Sequence, residues 1–237
     1  MNNGFFMRTE SKYLITRHQR AVILNAIRDR MRLDSYGHSL IRNIYFDTPS
    51  FRLIRRSLEK PIYKEKMRIR AYGDFSPSET VYVELKKKYK GIVYKRREAM
   101  PYPDALCWTT AGGAPPRDTQ IAREIDYFMH FYEELAPMAY LSYEREAYCM
   151  TDGGDFRLTL DENIRARFHD VSLDSGDAGE SVLDGGLVLL ELKCNEGIPL
   201  WLTHLLSREK IFKTSFSKYG VAYLKQICGR SPVTINI

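Results

Sequence analysis

Charged residues occupy every second position in several short stretches of this sequence, and that spacing could build a binding site for an anion. Residues 8–15 read RTESKYLI, in which Arg8, Glu10 and Lys12 stand at alternate positions. Successive side chains of a β-strand point to opposite faces, so these three charges would share one face. Lysine and arginine side chains gathered on one face can hold phosphate through charge-assisted hydrogen bonds.

Five further predicted strands repeat this alternation, with aliphatic residues on the opposite face. In KEKMRIRAYG, for example, Arg68 and Arg70 share one face while Met67 and Ile69 share the other. The charged faces together carry Lys66, Arg68, Arg70, Glu84, Lys86, Lys88, Lys95, Arg97, Arg157, Glu191 and Lys193. A sheet with one solvated side would show the same pattern. Carboxylates are few on these faces, however, so the cations would repel one another unless an anion lies among them.

The number of such strands favours a closed barrel with a polar lumen. Closure removes the sheet edges, and the apolar outer faces can then pack against helices. We therefore predict an α+β fold with a β-barrel and packing helices. Helices are predicted from Thr16 to about Met31, over residues 51–59, from Asp118 to Tyr132, from Pro199 to Arg208 and from Lys218 to Ile227, and a loop is predicted over residues 108–116.

The composition is that of a folded protein with an anionic partner. Hydrophobic residues make up 44% of the 237 residues and charged residues 28%, which excludes general disorder. The net charge of +6 indicates nucleic acid, a membrane surface or a phosphorylated small molecule as partner. Four scattered cysteines, the lack of an apolar run of roughly 18 residues and the lack of a signal peptide predict a cytoplasmic protein with no membrane segment.

No linker or repeat divides the chain, so we predict a single domain over residues 1–237. Residues 169–186 differ from the rest because they are acidic. They contain Asp170, Asp174, Asp177, Glu180 and Asp184. We predict that this segment is a mobile surface loop, which would leave the remaining body more basic than the net charge suggests.

Carboxylates on the charged faces suggest a metal ion. Glu10, Glu84 and Glu191 would be poor phosphate ligands alone. They become useful if a divalent cation bridges them to phosphate, with most of its other positions filled by water and phosphate oxygens.

An ordered series of motifs in this chain resembles the polyphosphate polymerase domain of the vacuolar transporter chaperone (VTC) family, within the triphosphate tunnel metalloenzymes. The motifs are RTESKYLI, IRNIYFDTP, KMRIRAYG, VELKKKYKGIVYKRR, SYEREAY, RLTLD, LLELK and FSKYG. They extend from residue 8 to about residue 225. The resemblance implies an eight-stranded antiparallel barrel that binds ATP, inorganic polyphosphate or triphosphate together with Mn or Mg.

The resemblance also implies roles for individual residues. Phosphate-binding roles in catalysis are implied for Lys12, Arg68, Arg70, Lys86, Lys95, Arg145, Arg157 and Lys218. Glu191 is the implied metal ligand, and Glu10 and Glu84 are further candidate ligands. Lys66, Arg97 and Lys193 lie on the same strand faces and are candidates for binding the substrate.

One departure from the wider superfamily bears on the reaction. Adenylate cyclases and thiamine triphosphatases of the superfamily open with Glu-x-Glu-x-Lys, whereas this chain has Arg8 in place of the first glutamate. The change removes a metal-binding carboxylate and adds a phosphate donor. It therefore favours a polymerase or a binding protein over a two-metal hydrolase.

The expected function is metal-dependent transfer of the terminal phosphate of ATP to a growing polyphosphate chain. Such a reaction needs positioning and charge neutralisation more than a protein nucleophile. The sequence has no P-loop, no kinase motif set and no GxSxG elbow. The alternatives are a triphosphatase with the same fold, a polyphosphate-binding module without activity, and a module that binds nucleic acid through basic and aromatic residues.

Overall fold

The computed structural model describes residues 9–90, 92–195 and 197–230, so Arg8 lies outside the described residues. The strands are β1 (Thr9–Thr16), β2 (Met31–Asp47), β3 (Tyr63–Tyr72), β4 (Thr80–Tyr89), β5 (Ile92–Pro101), β6 (Ala136–Met150), β7 (Arg157–Arg167), β8 (Glu180–Ser181), β9 (Leu187–Cys194) and β10 (Lys213–Thr214). The helices are α1 (Arg17–Ile27), α2 (Arg52–Leu58), α3 (Tyr102–Thr110), α4 (Gln120–Phe131), α5 (Leu200–Arg208) and α6 (Lys218–Ala222), followed by a π-helical turn at Tyr223–Ile227. Within these ranges, no helix has both the length and the apolar character needed to cross a membrane.

The strands form one antiparallel sheet in the order β10-β1-β9-β7-β6-β2-β3-β4-β5, with β8 paired to β7. Among the described residues the pairing ends at β10 and at β5, so the sheet is open and the prediction of a closed eight-stranded barrel is wrong. The reason lies at β1, where Lys12 and Tyr13 pair with Thr214 and Lys213 of β10. The edge of β1 that closure requires is therefore already occupied. The α+β class and the antiparallel pairing are confirmed.

Alternation along the strands separates the apolar core from the charged face. On the outer side, Met67 and Ile69 of β3 and Leu85 of β4 are buried in one core with α3 and α4. Leu190 and Leu192 of β9 are buried in a second core with α1 and α5. A third cluster joins part of the inner face to α2 and α6. The aliphatic residues thus point outward to helices, and the charged residues of the same strands point inward.

Helix α1 begins where the sequence predicts, because Thr16 caps it. The Thr16 hydroxyl accepts a hydrogen bond of 3.2 Å from the backbone N–H of Gln19, and the Gln19 side chain accepts one of 2.9 Å from the backbone N–H of Thr16. This reciprocal pair is a capping box. The helix ends at Ile27, and Met31 begins β2 instead of ending the helix as predicted.

Two buried arginines attach the acidic segment, residues 169–186, to the sheet. Arg167 of β7 donates hydrogen bonds of 2.7 to 3.0 Å to four backbone carbonyl oxygens. The acceptors belong to Asp170, Ser172, Gly176 and Ala178. Arg42 of β2 donates two hydrogen bonds of 2.7 Å to the carboxylate of Asp177. The segment is therefore held at several points, and the mobility predicted for it stays a prediction.

Replacing Arg167 with alanine should release the acidic segment and destabilise the fold. Four carbonyl groups lose a charged donor, and we expect the free energy of unfolding to fall by about 2–4 kcal/mol. Cleavage by a glutamate-specific protease within residues 169–186 should become faster. Urea unfolding and limited proteolysis measure the two effects.

The matched control is Arg165→Ala on the same strand. Arg165 is exposed and donates to one carbonyl of the segment, that of Gly179, at 3.1 Å. Equal destabilisation in the two variants would contradict the anchoring role of Arg167.

Candidate anion-binding channel

The sheet curls so far that distant strands meet through their side chains. The Lys86 ammonium of β4 lies 3.8 Å from the Glu10 carboxylate of β1, although five strands lie between β1 and β4. Lys66 of β3 donates a hydrogen bond of 3.0 Å to the hydroxyl of Ser217, which caps α6. We call the concave space enclosed in this way the channel. It is lined by Glu10, Lys12, Tyr45, Lys66, Arg68, Arg70, Glu84, Lys86, Lys95, Arg145, Asp161, Glu191, Lys193 and Lys218.

Glu191 of β9 is the centre of the first charged cluster in the channel. Its carboxylate is buried, and four cationic side chains surround it. The nitrogen–oxygen distances are 3.1 Å to Lys218, 3.4 Å to Lys12, 3.6 Å to Arg145 and 3.7 Å to Lys193. Burial by itself would raise the pKa of Glu191, but these cations hold the pKa well below its usual value. Glu191 therefore stays ionised at neutral pH.

Asp161 of β7 is the second carboxylate of this cluster and was not among the residues predicted from the sequence. It is fully buried, accepts hydrogen bonds of 2.6 and 2.7 Å from Arg145, and lies 2.5 Å from the Lys218 ammonium. Burial would lower the pKa of Lys218, but Asp161 and Glu191 raise it. The signal was present in the RLTLD motif, because Asp161 stands four residues after Arg157 and thus on the same strand face.

Glu84 of β4 is the centre of a second cluster. Its side chain is 1% exposed, and Arg68 donates hydrogen bonds of 2.6 and 2.8 Å to one carboxylate oxygen. Lys95 forms an ion pair with the other oxygen, and Arg70 lies 3.9 Å away. Burial would raise the pKa of Glu84, but the three cations lower it to about 2. Glu84 therefore neutralises these cations in the ligand-free structure, and the metal binding expected of it from the sequence stays a prediction.

Polar groups of β2 and β6 hold the two arginines of β3 in position. Arg68 donates a hydrogen bond of 3.0 Å to the Tyr45 hydroxyl. Arg70 donates hydrogen bonds of 2.9 Å to Asn43 and 3.1 Å to the Tyr143 hydroxyl. Burial would raise the pKa of Tyr45, but nearby cations, Arg68 foremost, lower it to about 8. Because both guanidinium groups are already oriented, binding an anion would cost little further side-chain entropy.

Three lysines stand side by side across β3, β4 and β5. Lys66 pairs in register with Lys86, and Lys86 pairs with Lys95. Like charges directly opposite one another are destabilising. Burial and neighbouring lysines lower the pKa of Lys66 to about 8, and burial, partly opposed by Glu10, lowers the pKa of Lys86 to about 8. An anion over this row would relieve the repulsion.

Two further predicted residues are exposed, and the register places one of them, Arg97, opposite Glu84 of the second cluster. Arg157 is exposed at the start of β7 and stands opposite Lys193 of β9 in the register. Arg97 of β5 is also exposed, and its guanidinium lies 4.7 Å from the centre of the Tyr82 ring. The phosphate-binding and substrate-binding roles expected of these two residues stay predictions.

Two carboxylates of the channel fit the binding of a divalent cation. Glu10 and Glu191 lie 3.3 and 3.4 Å from the same Lys12 ammonium, so their oxygens face a common point. Mg²⁺ is usually held by one or two carboxylates together with phosphate oxygens and water. Across the described ranges, no three His, Cys, Asp or Glu side chains are grouped to hold a metal ion by themselves. A cation at Glu10 and Glu191 would need further ligands from phosphate oxygens or water, and metal binding here stays a prediction.

The fold is similar to that of solved structures at low sequence identity. A putative adenylate cyclase from Bacillus halodurans matches with a TM-score of 0.54 and 14% identity over 89% of this chain and 95% of that chain. A putative adenylate cyclase from Vibrio parahaemolyticus matches with a TM-score of 0.48 and 12% identity over 91% and 97%. At 14% identity, the similarity to the Bacillus halodurans structure shows a shared fold and no shared activity. A comparison of the sequence with curated proteins gave no match.

The curled antiparallel sheet and its charged channel are consistent with the triphosphate tunnel fold. A model of the VTC domain family matches residues 7–226, nearly the whole length of the sequence. The chain therefore belongs to the VTC domain family. This match confirms the resemblance identified from the ordered motifs.

Raising the pH from about 8 to about 9.5 should stabilise the ligand-free protein. The pKa of Lys66 is about 8 in the folded state against 10.5 for a free lysine, so the unfolded chain binds more protons in this interval. The free energy of unfolding then rises with pH. In Lys66→Met the rise should be smaller, as measured by urea unfolding at several pH values.

Burial raises the pKa of tyrosines such as Tyr219 in the folded state, so above about pH 10 the unfolded chain loses these protons first and the free energy of unfolding falls. The measurement therefore stops at about pH 9.5. Lys210→Met is the control, because Lys210 is exposed and lies outside the channel. If the free energy of unfolding rose with pH as steeply in Lys66→Met as in the wild type, burial of Lys66 would not suppress its charge.

Proposed function

We propose that this protein transfers the terminal phosphate of ATP to inorganic polyphosphate inside the channel, with Mn²⁺ or Mg²⁺ bound at Glu10 and Glu191. The observation that carries the proposal is the convergence of nine cationic side chains on the concave face of one curled sheet. They are Lys12, Lys66, Arg68, Arg70, Lys86, Lys95, Arg145, Lys193 and Lys218. Membership of the VTC domain family supports the same reaction.

In the proposed reaction, an oxygen of the terminal phosphate of the polyphosphate chain attacks the γ-phosphorus of ATP. A new P–O bond forms there, the bond between the γ-phosphorus and the β–γ bridging oxygen breaks, and ADP leaves with that oxygen. The attacking oxygen is already ionised, so the protein need not supply a base. Catalysis then depends on alignment of the two phosphates and on neutralisation of their charge.

Each cluster has a role in this reaction. Arg68 and Arg70, held by Glu84 and polar neighbours, would bind the phosphates of one reactant. Lys12, Lys218 and Arg145 would bind phosphate oxygens at the other end, beside the two candidate metal ligands. A cation held there offsets negative charge on the reacting phosphates.

A triphosphatase using the same channel is the second candidate, and it would need a proton acceptor other than Glu84 and Glu191. Attack by water needs a group that accepts a proton. Neighbouring cations bring the pKa of Glu84 to about 2 and hold that of Glu191 well below its usual value. Both carboxylates are therefore weak bases at neutral pH, and a phosphate acceptor avoids the need for one.

Glu191→Gln and Lys218→Ala should each lower the rate of ADP release from ATP and Mn²⁺ by about 100-fold or more, because each removes a charge that acts on the reacting phosphates. Glu124→Gln is the control, since Glu124 pairs with Arg96 on the outer surface at 3.3 Å. Thermal unfolding checks that each variant is folded. Full activity in either channel variant would remove that residue from the site.

The products distinguish the candidate functions. ADP together with a ladder of long phosphate chains on a gel supports the polymerase. Free phosphate without a ladder supports the triphosphatase. Binding of polyphosphate without turnover supports a binding module, and salt-sensitive binding to nucleic acid without turnover supports a nucleic-acid-binding module.

Glu10→Gln should raise the Mn²⁺ concentration for half-maximal ADP release by roughly ten-fold, because one of the two candidate ligands loses its charge. The measurement is a Mn²⁺ titration of ADP release at saturating ATP, with Glu124→Gln as control. An unchanged Mn²⁺ requirement would mean that Glu10 is not a metal ligand.

A further inference from the structure

The channel changes from cationic to aromatic at one end. Both β3 and the antiparallel β4 show this change on their inward faces. Along β3 the inward residues are, in order, Lys64, Lys66, Arg68, Arg70 and Tyr72. The residues of β4 that pair with the first four of these are Lys88, Lys86, Glu84 and Tyr82. The rings of Tyr72 and Tyr82 meet edge to face, with centroids 5.7 Å apart. We call Tyr36, Tyr72, Tyr82 and Arg97 the aromatic end.

Strand β2 carries an ordered insertion beside this end. Its pairing with β6 breaks between Leu33 and His38, so residues 34–37 leave the ladder. The Asp34 carboxylate accepts hydrogen bonds of 2.8 and 3.1 Å from the backbone N–H groups at positions 36 and 37. Gly37 has a φ of 49°, a conformation that glycine adopts at no steric cost. The insertion is therefore a defined turn.

This turn places Tyr36 over the ring of Tyr72. The ring centroids are 6.1 Å apart, the planes differ by 28°, and Tyr36 is 67% exposed. A side chain that exposed buries little apolar area, so packing alone gives a weak reason for the arrangement. The Arg70 guanidinium lies 5.6 Å from the Tyr72 ring centre, and that of Arg97 lies 4.7 Å from the Tyr82 ring centre. An open aromatic surface thus adjoins the arginines of the channel.

We propose that the aromatic end binds the base of a nucleoside triphosphate by stacking on the exposed ring of Tyr36, which itself stacks on Tyr72, with the phosphates directed inward to Arg70 and Arg68. The inference rests on the proposed function, because it assigns the donor to one end of the same channel. Tyr72 follows Arg68 by four residues along β3, a separation of about 13 Å at ~3.3 Å per residue, which leaves room for a ribose.

The chemistry of this surface predicts its selectivity. Every nucleobase has a π-face, so stacking tolerates different bases. Inorganic tripolyphosphate has no aromatic group and would bind through the cationic residues alone. The polyphosphate acceptor would then occupy the lysine-lined end of the channel, near Lys64 and Lys88.

Titration calorimetry with Mg²⁺ tests the proposal, using the non-transferable ATP analogue AMP-PNP, its guanine counterpart GMP-PNP, and inorganic tripolyphosphate as ligands. Tyr36→Ala should weaken binding of both nucleotides by about ten-fold and leave tripolyphosphate binding unchanged. Tyr36→Phe keeps the ring and should bind all three ligands as the wild type does.

Tyr127→Ala is the matched control. Tyr127 is 68% exposed and stacks on Phe131 with centroids 6.1 Å apart, but it lies on α4 outside the channel. Tyr127→Ala should bind both nucleotides and tripolyphosphate as the wild type does. Unchanged nucleotide binding in Tyr36→Ala, or equal weakening of nucleotide and tripolyphosphate, would overturn the proposal while leaving the proposed function intact. Failure of the wild type to bind tripolyphosphate would overturn the proposed function itself.

Discussion

Repulsion among inward-facing lysines and arginines is the constraint that this structure must satisfy. Charges removed from water are costly unless partners compensate them. Here three buried carboxylates, Asp161, Glu84 and Glu191, each neutralise more than one cation. The ligand-free fold is therefore stabilised by its own counter-ions. The lysine row formed by Lys66, Lys86 and Lys95 is less fully compensated, and it is where an external anion would contribute most.

Much of the sheet could be predicted because a period of two distinguishes the charged face from the apolar face. Strand β9, for example, carries Glu191 on the charged face and buries Leu190 and Leu192 on the apolar face, as the alternation predicts. The open edge could not be predicted, since β10 has two residues and leaves no periodic pattern. Helix α3 was hidden by the glycines and prolines that follow it, while Tyr102 and Trp108 hold it by burial in the outer core. Both β10 and α3 are fixed by contacts with distant parts of the chain, which the local sequence pattern does not show.

The charged strand faces were predictable, but the partners of each charge were not. Alternation placed Glu84 and Glu191 on inner faces without showing that each lies among several cations, because that depends on how tightly the sheet curls. Asp161 was not predicted because a single aspartate after the apolar run resembles the first residue of a turn, although β7 continues to Arg167. Tyr36 gave no periodic signal, since the turn that carries it interrupts β2.

The gap between β1 and β4 has a mechanical consequence. Elsewhere around the channel, neighbouring strands are joined by ladders of backbone hydrogen bonds, which cannot part without local unfolding. Where β1 and β4 meet, the ion pair between Glu10 and Lys86 at 3.8 Å joins side chains alone, and so does the nearby hydrogen bond of 3.0 Å between Lys66 and Ser217. A rotamer change is enough to break such a contact, so this part of the channel wall is held less firmly than the parts joined by strand ladders.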